Sequence, residues 1–392
     1  MMRFTPLSLG LKQSEHDRCL YYLHTPHSII LILLYVDDIL VAHNKQDSAV
    51  YEQIMQGLFD KYSMRQVDLT RNRFAGIRIT ISLEHGYIFL DQEQYAREIL
   101  ASFNMSEGRV FKVPSDGSYL PRFDSDQGVK FPYRSCLGSI RYLVSCTRPD
   151  LAISLNLLER HSQFPGVAHV TAAKAILHYL RGTLSAGLLY KKDPKISSFR
   201  VTALSDSTWA DDPHDCCSTS GLVLKFSNGP LVHWSSKKQK SVHVPATPPA
   251  LSSPEAEFVS ASDCAREIIW FTGLLHELRL LDTSTPPLLE MDNQSSIQIA
   301  STTAFLQRSK HIRLKFFHIR ALVLSGQLEL RYVQSEYNTA DCMTKALQGT
   351  KFHRHVFGAD GFRHLMEHSR PDDALALHQL LDRQTRSVAA QL

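Results

Sequence analysis

Residues 199–212 read FRVTALSDSTWADD and combine a β-like apolar run with an acidic residue, Asp206, near its end. Two more β-like segments, GLVLKF and PLVHW, flank Asn228-Gly229, a dipeptide that favours the tight turn of a hairpin. A long helix is expected from about Pro254, since proline is favoured in the first helical turn. The remaining segments are strand PLLEM, a short helix after Asp292, a helix over 308–324, strand LELRYV and a last helix from about Thr339. The order strand, hairpin, helix, strand, helices, strand, helix predicts a domain of mixed α/β structure.

Four acidic residues lie at strand ends or helix starts of this region: Asp206, Glu257, Asp292 and Asp341. Such positions face the edge of a sheet, where side chains from different elements can converge. Four converging carboxylates cannot all stay ionised without cations, and a pair of Mg²⁺ ions would neutralise them. Two such ions can activate a water molecule and stabilise the leaving 3′ oxygen in phosphodiester hydrolysis. Taken singly, each acid is explained more simply as a strand-end or helix-cap residue.

Glu255 and Glu257 compete for the helical position in this set. Two residues apart on a helix is a rotation of about 200°, so the two side chains cannot face the same way. Glu257 shares its stripe with Ala261 and Cys264, which belong to the face expected to pack on the sheet. Glu257 is therefore the inward acid, and Glu255 is interpreted as a first-turn residue that favours the helix dipole.

A basic run follows Trp234 in the segment WSSKKQK, with Lys237, Lys238 and Lys240. A charge run of this kind is usually a solvated face. Beside an aromatic residue and a candidate nuclease site, the same side chains would suit contacts to a nucleic-acid backbone. Both interpretations remain open from the residues alone.

An acidic pair interrupts the apolar segment SIILILLYVDDILVAHN, which spans residues 28–44. Asp37 and Asp38 lie between two apolar strands, where adjacent carboxylates repel and lose hydration unless a cation or solvent compensates them. One interpretation is a divalent-metal site for phosphoryl transfer. The other is a solvated Asp-Asp turn.

Residues 133–190 have the pattern of helices. YRSCLGSIRYLVSC, PDLAISLNLLERHS and VTAAKAILHYLRG each carry apolar residues at a spacing of three to four, and Gly182 is placed for a C-terminal cap. The preceding Pro114–Pro132 is rich in loop-forming residues, and KKDPKISS (191–198) is typical of a linker.

YVDD after an apolar run resembles the active-site hairpin of reverse transcriptases, and the segments FAGIRI, GYIFLDQEQYAREIL and AILHYLRGTLSAGLLYKK follow it in one order. With SDSTWADD, LSSPEAEF, MDNQSSI and NTADCMTKAL, they resemble the copia-type Pol polyproteins of LTR retrotransposons. The resemblance runs from about residue 8 to residue 347. It implies a reverse-transcriptase palm and thumb remnant over 1–110, a helical connection region over 111–195, a ribonuclease H-like domain over 196–347 and a C-terminal tail over 348–392.

The resemblance also implies a fold and a site. The fold is α/β (α+β): a partial palm with a helical connection, followed by a ribonuclease H-like mixed five-stranded sheet flanked by helices. The family's catalytic acids carry over to Asp206, Glu257, Asp292 and Asp341, which would hold two Mg²⁺ or Mn²⁺ ions. Asp37 and Asp38 would belong to the polymerase metal site.

The chain departs from the family pattern in several places. In the family, nucleotide-binding fingers and a palm strand with another metal-binding aspartate precede YVDD, which here starts at residue 35. The polymerase half is therefore expected to be truncated and inactive, with Asp37 and Asp38 as a relic site. HVPATPP (243–249) reads as an insertion before the Glu257 helix, and its prolines preclude a regular strand. Arg313 stands where the family usually has an acid.

Composition sets wider limits. The 392 residues include 43 Lys and Arg against 39 Asp and Glu, a net charge of +4 that permits a polyanionic partner without requiring one. Neither a signal peptide nor a run long enough to span a bilayer is recognisable, so an intracellular location, cytoplasmic or nuclear, without a membrane partner is expected. The sequence indicates no small-molecule cofactor and does not define an oligomeric state.

The leading functional hypothesis is metal-dependent endonucleolytic cleavage of RNA in an RNA–DNA hybrid by the second domain. A first alternative is a decayed module that still binds nucleic acid without cutting it. A second alternative is an inert product of a degenerate element, with an exposed apolar YVDD hairpin that invites aggregation.

Overall fold

A computed structural model of the chain describes residues 9–67, 73–118, 120–121, 130–191, 200–226, 231–239, 252–281, 285–301 and 310–357, with only the helical backbone for 310–313. The described residues form three sheets, of four, four and five strands. Among them, no helix is long and apolar enough to cross a membrane.

The first sheet contains the YVDD hairpin. Its elements are β1 Lys12–Gln13, β2 Leu20–His24, β3 Ile29–Tyr35, β4 Asp38–Ala42 and helix α1 Ser48–Phe59. β3 is a central strand, and its alternating side chains Ile30 and Ile32 are fully buried in a core that includes Leu58 of α1. The apolar strand that the inert-product hypothesis expected to be exposed is thus covered on one face.

The second sheet joins regions that the sequence had separated. Its elements are β5 Arg73–Phe74, β6 Ile77–Ser82, β7 Tyr87–Asp91, α2 Glu93–Ser102, α3 Tyr133–Cys146, α4 Ala152–Glu159, α5 Val167–Gly182 and β8 Gly187–Lys191. β8 pairs antiparallel with β7, so a strand of the predicted connection region completes the sheet of the preceding one. The predicted helices are present, although α5 includes Gly182. A Cβ at that residue would lie 2.2 Å from Val110 Cγ1, so the glycine permits a close approach and does not form the expected cap.

The third sheet is the mixed five-stranded sheet that the sequence predicted. Its elements are β9 Val201–Ser207, β10 Thr219–Phe226, β11 Leu231–Lys238, α6 Ser253–Glu277, β12 Leu288–Met291, α7 Gln294–Ser301, α8 Lys310–Leu324 and β13 Glu329–Tyr332. The strand order is β11-β10-β9-β12-β13. β9, β10 and β11 pair antiparallel, whereas β12 runs parallel to both β9 and β13. The fold-class prediction is confirmed.

Both faces of the central strands β9 and β10 contribute to buried cores. On one face, Ala203 and Leu222 pack with α6 and α8. On the other face, Leu204 and Val223 join the same core as the connection helices α3, α4 and α5. A further helix, α9 Gly349–Phe357, contributes Phe352 to this second core. This helix lies within the predicted C-terminal tail, 348–392.

Candidate metal centre

Asp206 lies near the end of the central strand β9 and is 2% exposed. Directly opposite it on β10 is Gly221, where a Cβ would lie 2.8 Å from the carbonyl oxygen of Ala340. The absence of a side chain at Gly221 therefore lets the segment that carries Asp341 pack closely over the strand. This close approach places two of the predicted acids on neighbouring elements.

Glu257 reaches the same edge from α6. It is 4% exposed, and its Oε1 accepts a hydrogen bond from the backbone N–H of Ser207 at 3.2 Å. Ser260, one turn further along α6, donates its hydroxyl to the carbonyl oxygen of Asp206 at 2.8 Å and fixes the helix against β9. The inward orientation of Glu257 agrees with the helical-stripe argument. Glu255 is in the first turn as expected, and it too is buried.

Asp292 follows β12, the strand parallel to β9, and is half-buried. Its Oδ2 accepts a hydrogen bond from the Ser335 hydroxyl at 2.7 Å. One carboxylate oxygen from each of Asp206, Glu257 and Asp292 lies within 4.8 Å of the other two. This is the one group of three or more potential metal ligands that the described part of the chain brings together at such distances.

Asp341 lies beside this group without joining it. The expected helix from Thr339 is a short 3₁₀ helix, Thr339–Met343. Asn338 caps its N-terminal end: the side chain accepts a hydrogen bond from the Ala340 N–H at 3.2 Å and donates one to the Ser205 carbonyl oxygen at 3.0 Å. These hydrogen bonds anchor the 3₁₀ helix next to Asp206.

Two lysines compensate the Asp341 carboxylate. Lys345 forms ion pairs with both Asp341 and Asp206, the latter at 3.4 Å, and Lys351 of α9 contacts Asp341 at 2.8 Å. Thr344 donates its hydroxyl to Asp206 as well. Asp206 therefore belongs both to the three-carboxylate group and to a lysine-bridged pair with Asp341.

The pKa values of the buried acids shift in different directions: those of Glu257 and Asp206 are raised, and that of Asp341 is lowered. Burial, reinforced by the charges of Asp206 and Asp292, raises the pKa of Glu257 to about 8. Burial also raises the pKa of Asp206, against the opposing effects of Lys345 and Thr344. Burial alone would raise the pKa of Asp341, but Lys345 and Lys351 hold it below its ordinary value. Without a cation, the three-carboxylate group thus favours a bound proton, whereas Asp341 remains ionised.

The chain is similar to proteins of mobile elements. It is 34% identical over 350 residues to the retrovirus-related Pol polyprotein from transposon RE2 of Arabidopsis thaliana, a match that covers 88% of this chain. It is 30% identical over 264 residues to a putative transposon Ty5-1 protein of Saccharomyces cerevisiae, covering 66% of this chain and 80% of that protein. The chain belongs to the copia-type retrotransposon Pol polyproteins. It spans 23% of the length of the RE2 polyprotein.

Among solved structures, a ribonuclease H1 isolated from compost aligns with this Pol chain at a TM-score of 0.29 and 14% identity, covering 37% of this chain and 92% of that one. No protein-family model matches the chain.

The donor set of this Pol chain suits a hard divalent cation. All the candidate ligand atoms are carboxylate oxygens, which Mg²⁺ and Mn²⁺ prefer. The buried Oε2 of Glu257 has no hydrogen-bond partner within the described residues. A buried carboxylate oxygen left without a partner is costly, and a cation held by the three acids would satisfy it. The residues therefore fit the metal that the sequence led us to expect.

The described members of the predicted nucleic-acid-binding set do not share one exposed face of β11. Because successive side chains of a strand point to opposite faces, Lys237 and Lys238 of β11 diverge. Lys238 pairs with Asp212 at 2.5 Å, and Trp234 donates its indole N–H to the Val144 carbonyl oxygen at 2.8 Å. Only Lys237 of the described members is exposed, and Lys240 lies outside the described residues.

The YVDD turn is open to solvent. Val36 has a φ of 54° at the turn, and Asp37 and Asp38 are exposed. In the described chain, no third potential ligand joins them at the short distances found around Asp206. The structure thus matches the arrangement of a solvated Asp-Asp turn.

The sequence analysis did not predict several residues that hold the site together. Lys345, Lys351 and Asn338 hold the acids by charge or hydrogen bonds, and Gly221 removes a steric barrier. Gly221 lies in the predicted strand segment GLVLKF and Lys345 in the motif NTADCMTKAL, so the sequence identified both segments but not the contacts of these two residues. The 243–249 insertion lies outside the described residues, as does the side chain of Arg313.

Proposed function

We propose that this Pol chain is a metal-dependent endonuclease that cleaves the RNA strand of RNA–DNA hybrids. The observation that supports the proposal is the convergence of Asp206, Glu257 and Asp292, with carboxylate oxygens within 4.8 Å of one another. A cluster of three acids, two of them buried and Asp292 half-buried, is unfavourable for stability unless a cation compensates it.

The roles of the residues follow from their contacts. Asp206, Glu257 and Asp292 would hold one divalent ion, and Asp341 would share in holding a second with Asp206. When bound, such ions activate water and stabilise the leaving oxygen of a phosphodiester. Ser335 and Thr344 orient the carboxylates of Asp292 and Asp206 by donating hydroxyl hydrogen bonds.

Recognition of the hybrid would depend on shape more than on sequence. Lys237 is exposed and would contact backbone phosphates, which carry no sequence information. Groove width and 2′-hydroxyl groups distinguish an RNA–DNA hybrid from duplex DNA.

The polymerase part is proposed to be inactive. Asp37 and Asp38 are exposed at a turn, and in the part of the chain that the structure describes they have no third carboxylate close by. Phosphoryl transfer by two ions needs ligands that hold both of them in fixed positions.

The test compares wild type with Asp292→Asn in cleavage of a labelled RNA–DNA hybrid with Mg²⁺ or Mn²⁺. We expect cleavage by wild type only, because the substitution removes a charged oxygen ligand. The melting temperature without metal should rise or barely change, since carboxylate repulsion is relieved. Loss of more than about 2 kcal/mol of metal-free stability would mark Asp292 as a structural acid and contradict the proposal.

A second candidate function is binding of nucleic acid without cleavage. The observation that favours it is that Asp341 does not join the three-carboxylate group and is instead paired with Lys345 and Lys351. A wild-type chain that retards a hybrid in a gel and leaves its RNA intact at all Mg²⁺ and Mn²⁺ concentrations would select this alternative.

A further inference from the structure

Lys345 lies where two parts of the site meet. Its Nζ is 3.4 Å from Asp206 Oδ2 and forms a second ion pair with Asp341 Oδ1. The described chain has a second lysine here, Lys351, which contacts Asp341 at 2.8 Å but forms no ion pair with Asp206. Of the two lysines, Lys345 is thus the one that bridges the pair of acids.

A cation between two carboxylates satisfies the same electrostatic requirement whether it is an ammonium group or a metal ion. The ammonium of Lys345 neutralises the space between Asp206 and Asp341, the two acids assigned to a second divalent ion. Among the described residues, Lys345 is the cation that contacts Asp206, whereas Glu257 and Asp292 form no ion pair and Glu257 Oε2 has no hydrogen-bond partner. In the metal-free chain, the negative charge at the second position, between Asp206 and Asp341, is therefore already compensated by Lys345. The negative charge of Glu257 and Asp292 at the first position is not compensated by an ion pair.

The side chain of Lys345 can move away from Asp206 and Asp341. Its side chain is 44% exposed, and lysine carries its charge on a flexible four-carbon stem. When it moves, Thr344 continues to hold Asp206, and Lys351 continues to hold Asp341. The acids can therefore remain in place while the ammonium group withdraws into solvent.

We propose that Lys345 is a built-in competitor for the second divalent ion: the first ion binds at Asp206, Glu257 and Asp292, and the second binds only when Lys345 leaves the space between Asp206 and Asp341. The inference rests on the proposed function, because it presumes that the first three acids bind metal. It makes Lys345 a positioning residue that sets the metal concentration at which the site fills.

The experiment measures Mn²⁺ binding to the full chain without nucleic acid, by electron paramagnetic resonance of free Mn²⁺ and by calorimetry. Wild type should bind one ion more tightly than the second. Lys345→Gln should raise the affinity for the second ion about tenfold or more, equivalent to about 1.4 kcal/mol. Lys345→Arg should retain the weak second site, because it keeps the charge.

Lys351→Gln is the matched control, since it removes a positive charge from Asp341 and leaves the space beside Asp206 occupied. It should change the second affinity by much less than Lys345→Gln. Equal effects of the two variants would overturn the inference in favour of a general change of charge. So would two equally tight ions in wild type that are unaffected by Lys345→Gln, although the proposed function would survive. A wild-type chain that binds no Mn²⁺ would refute the proposed function itself.

Discussion

Glu257→Gln should remove the loss of stability that ionisation of Glu257 causes in the metal-free chain as the pH rises from about 5 to about 8. The pKa of Glu257 is about 8 in the folded chain against an ordinary value of 4.5. Between these values the folded state holds a proton that the unfolded state releases, so stability is fully present below 4.5 and is lost as pH rises through 8. At 1.36 kcal/mol per pH unit, the interval corresponds to a loss of about 5 kcal/mol, as an order of magnitude.

The assay is denaturant unfolding of wild type and Glu257→Gln in a metal chelator, from about pH 5 to about pH 9. Glutamine cannot ionise, yet its amide oxygen can still accept from the Ser207 N–H, so the variant should become the more stable protein at the alkaline end. Mg²⁺ should reverse this order, because it stabilises the ionised wild-type site. Parallel stability curves for the two proteins across the pH range would refute the reasoning.

Three other predictions concern different parts of the chain. Arg148 is buried and pairs with Asp150 at 2.7 Å, so Arg148→Met should cost about 3–5 kcal/mol of unfolding free energy by leaving that carboxylate uncompensated, and Asp150→Asn in the same chain should restore part of it. Primer extension on an RNA template should show no synthesis beyond that of a chain with Asp37→Asn and Asp38→Asn; any template-directed excess would contradict an inactive polymerase part. Deletion of 243–249 should preserve the melting transition and keep or raise hybrid cleavage, since loops tolerate changes of length at small entropic cost; unfolding of the second domain would show that the segment belongs to its core.

Local patterns were sufficient for much of the fold. The apolar run before Asp206 is strand β9, the hairpin pairing of β10 with β11 agrees with the Asn228-Gly229 signal, and the helix from Pro254 became α6. The orientation of Glu257 followed from helical geometry alone, because the residues that share its stripe are apolar or small.

The remainder depends on contacts between residues far apart in sequence. Lys345 is an ordinary exposed lysine until the 3₁₀ helix brings it to Asp206. The pairing of β8 with β7 crosses the predicted boundary between the palm and thumb remnant (1–110) and the connection region (111–195). Helix α9 was missed because its charged and histidine residues obscured the spacing of Phe352 and Val356, which do pack in the core. Lys237 and Lys238 were grouped as a run, whereas the strand separates them.

The two-sided burial of the five-stranded sheet has a consequence for biogenesis. The connection helices that cover one face leave the ribosome before the sheet exists, and α6 and α8, which cover the other, leave after β11. During synthesis, the apolar side of α3–α5 stays exposed until β9 and β10 have been made and can pack on it. Chaperones that bind exposed apolar surface are expected to act in this interval. In the finished chain the sheet and its first cover should open together. Native-state hydrogen exchange should therefore show one shared opening free energy for the core amides of α5 and β9; independent opening would mean that the two halves fold as separate cooperative units.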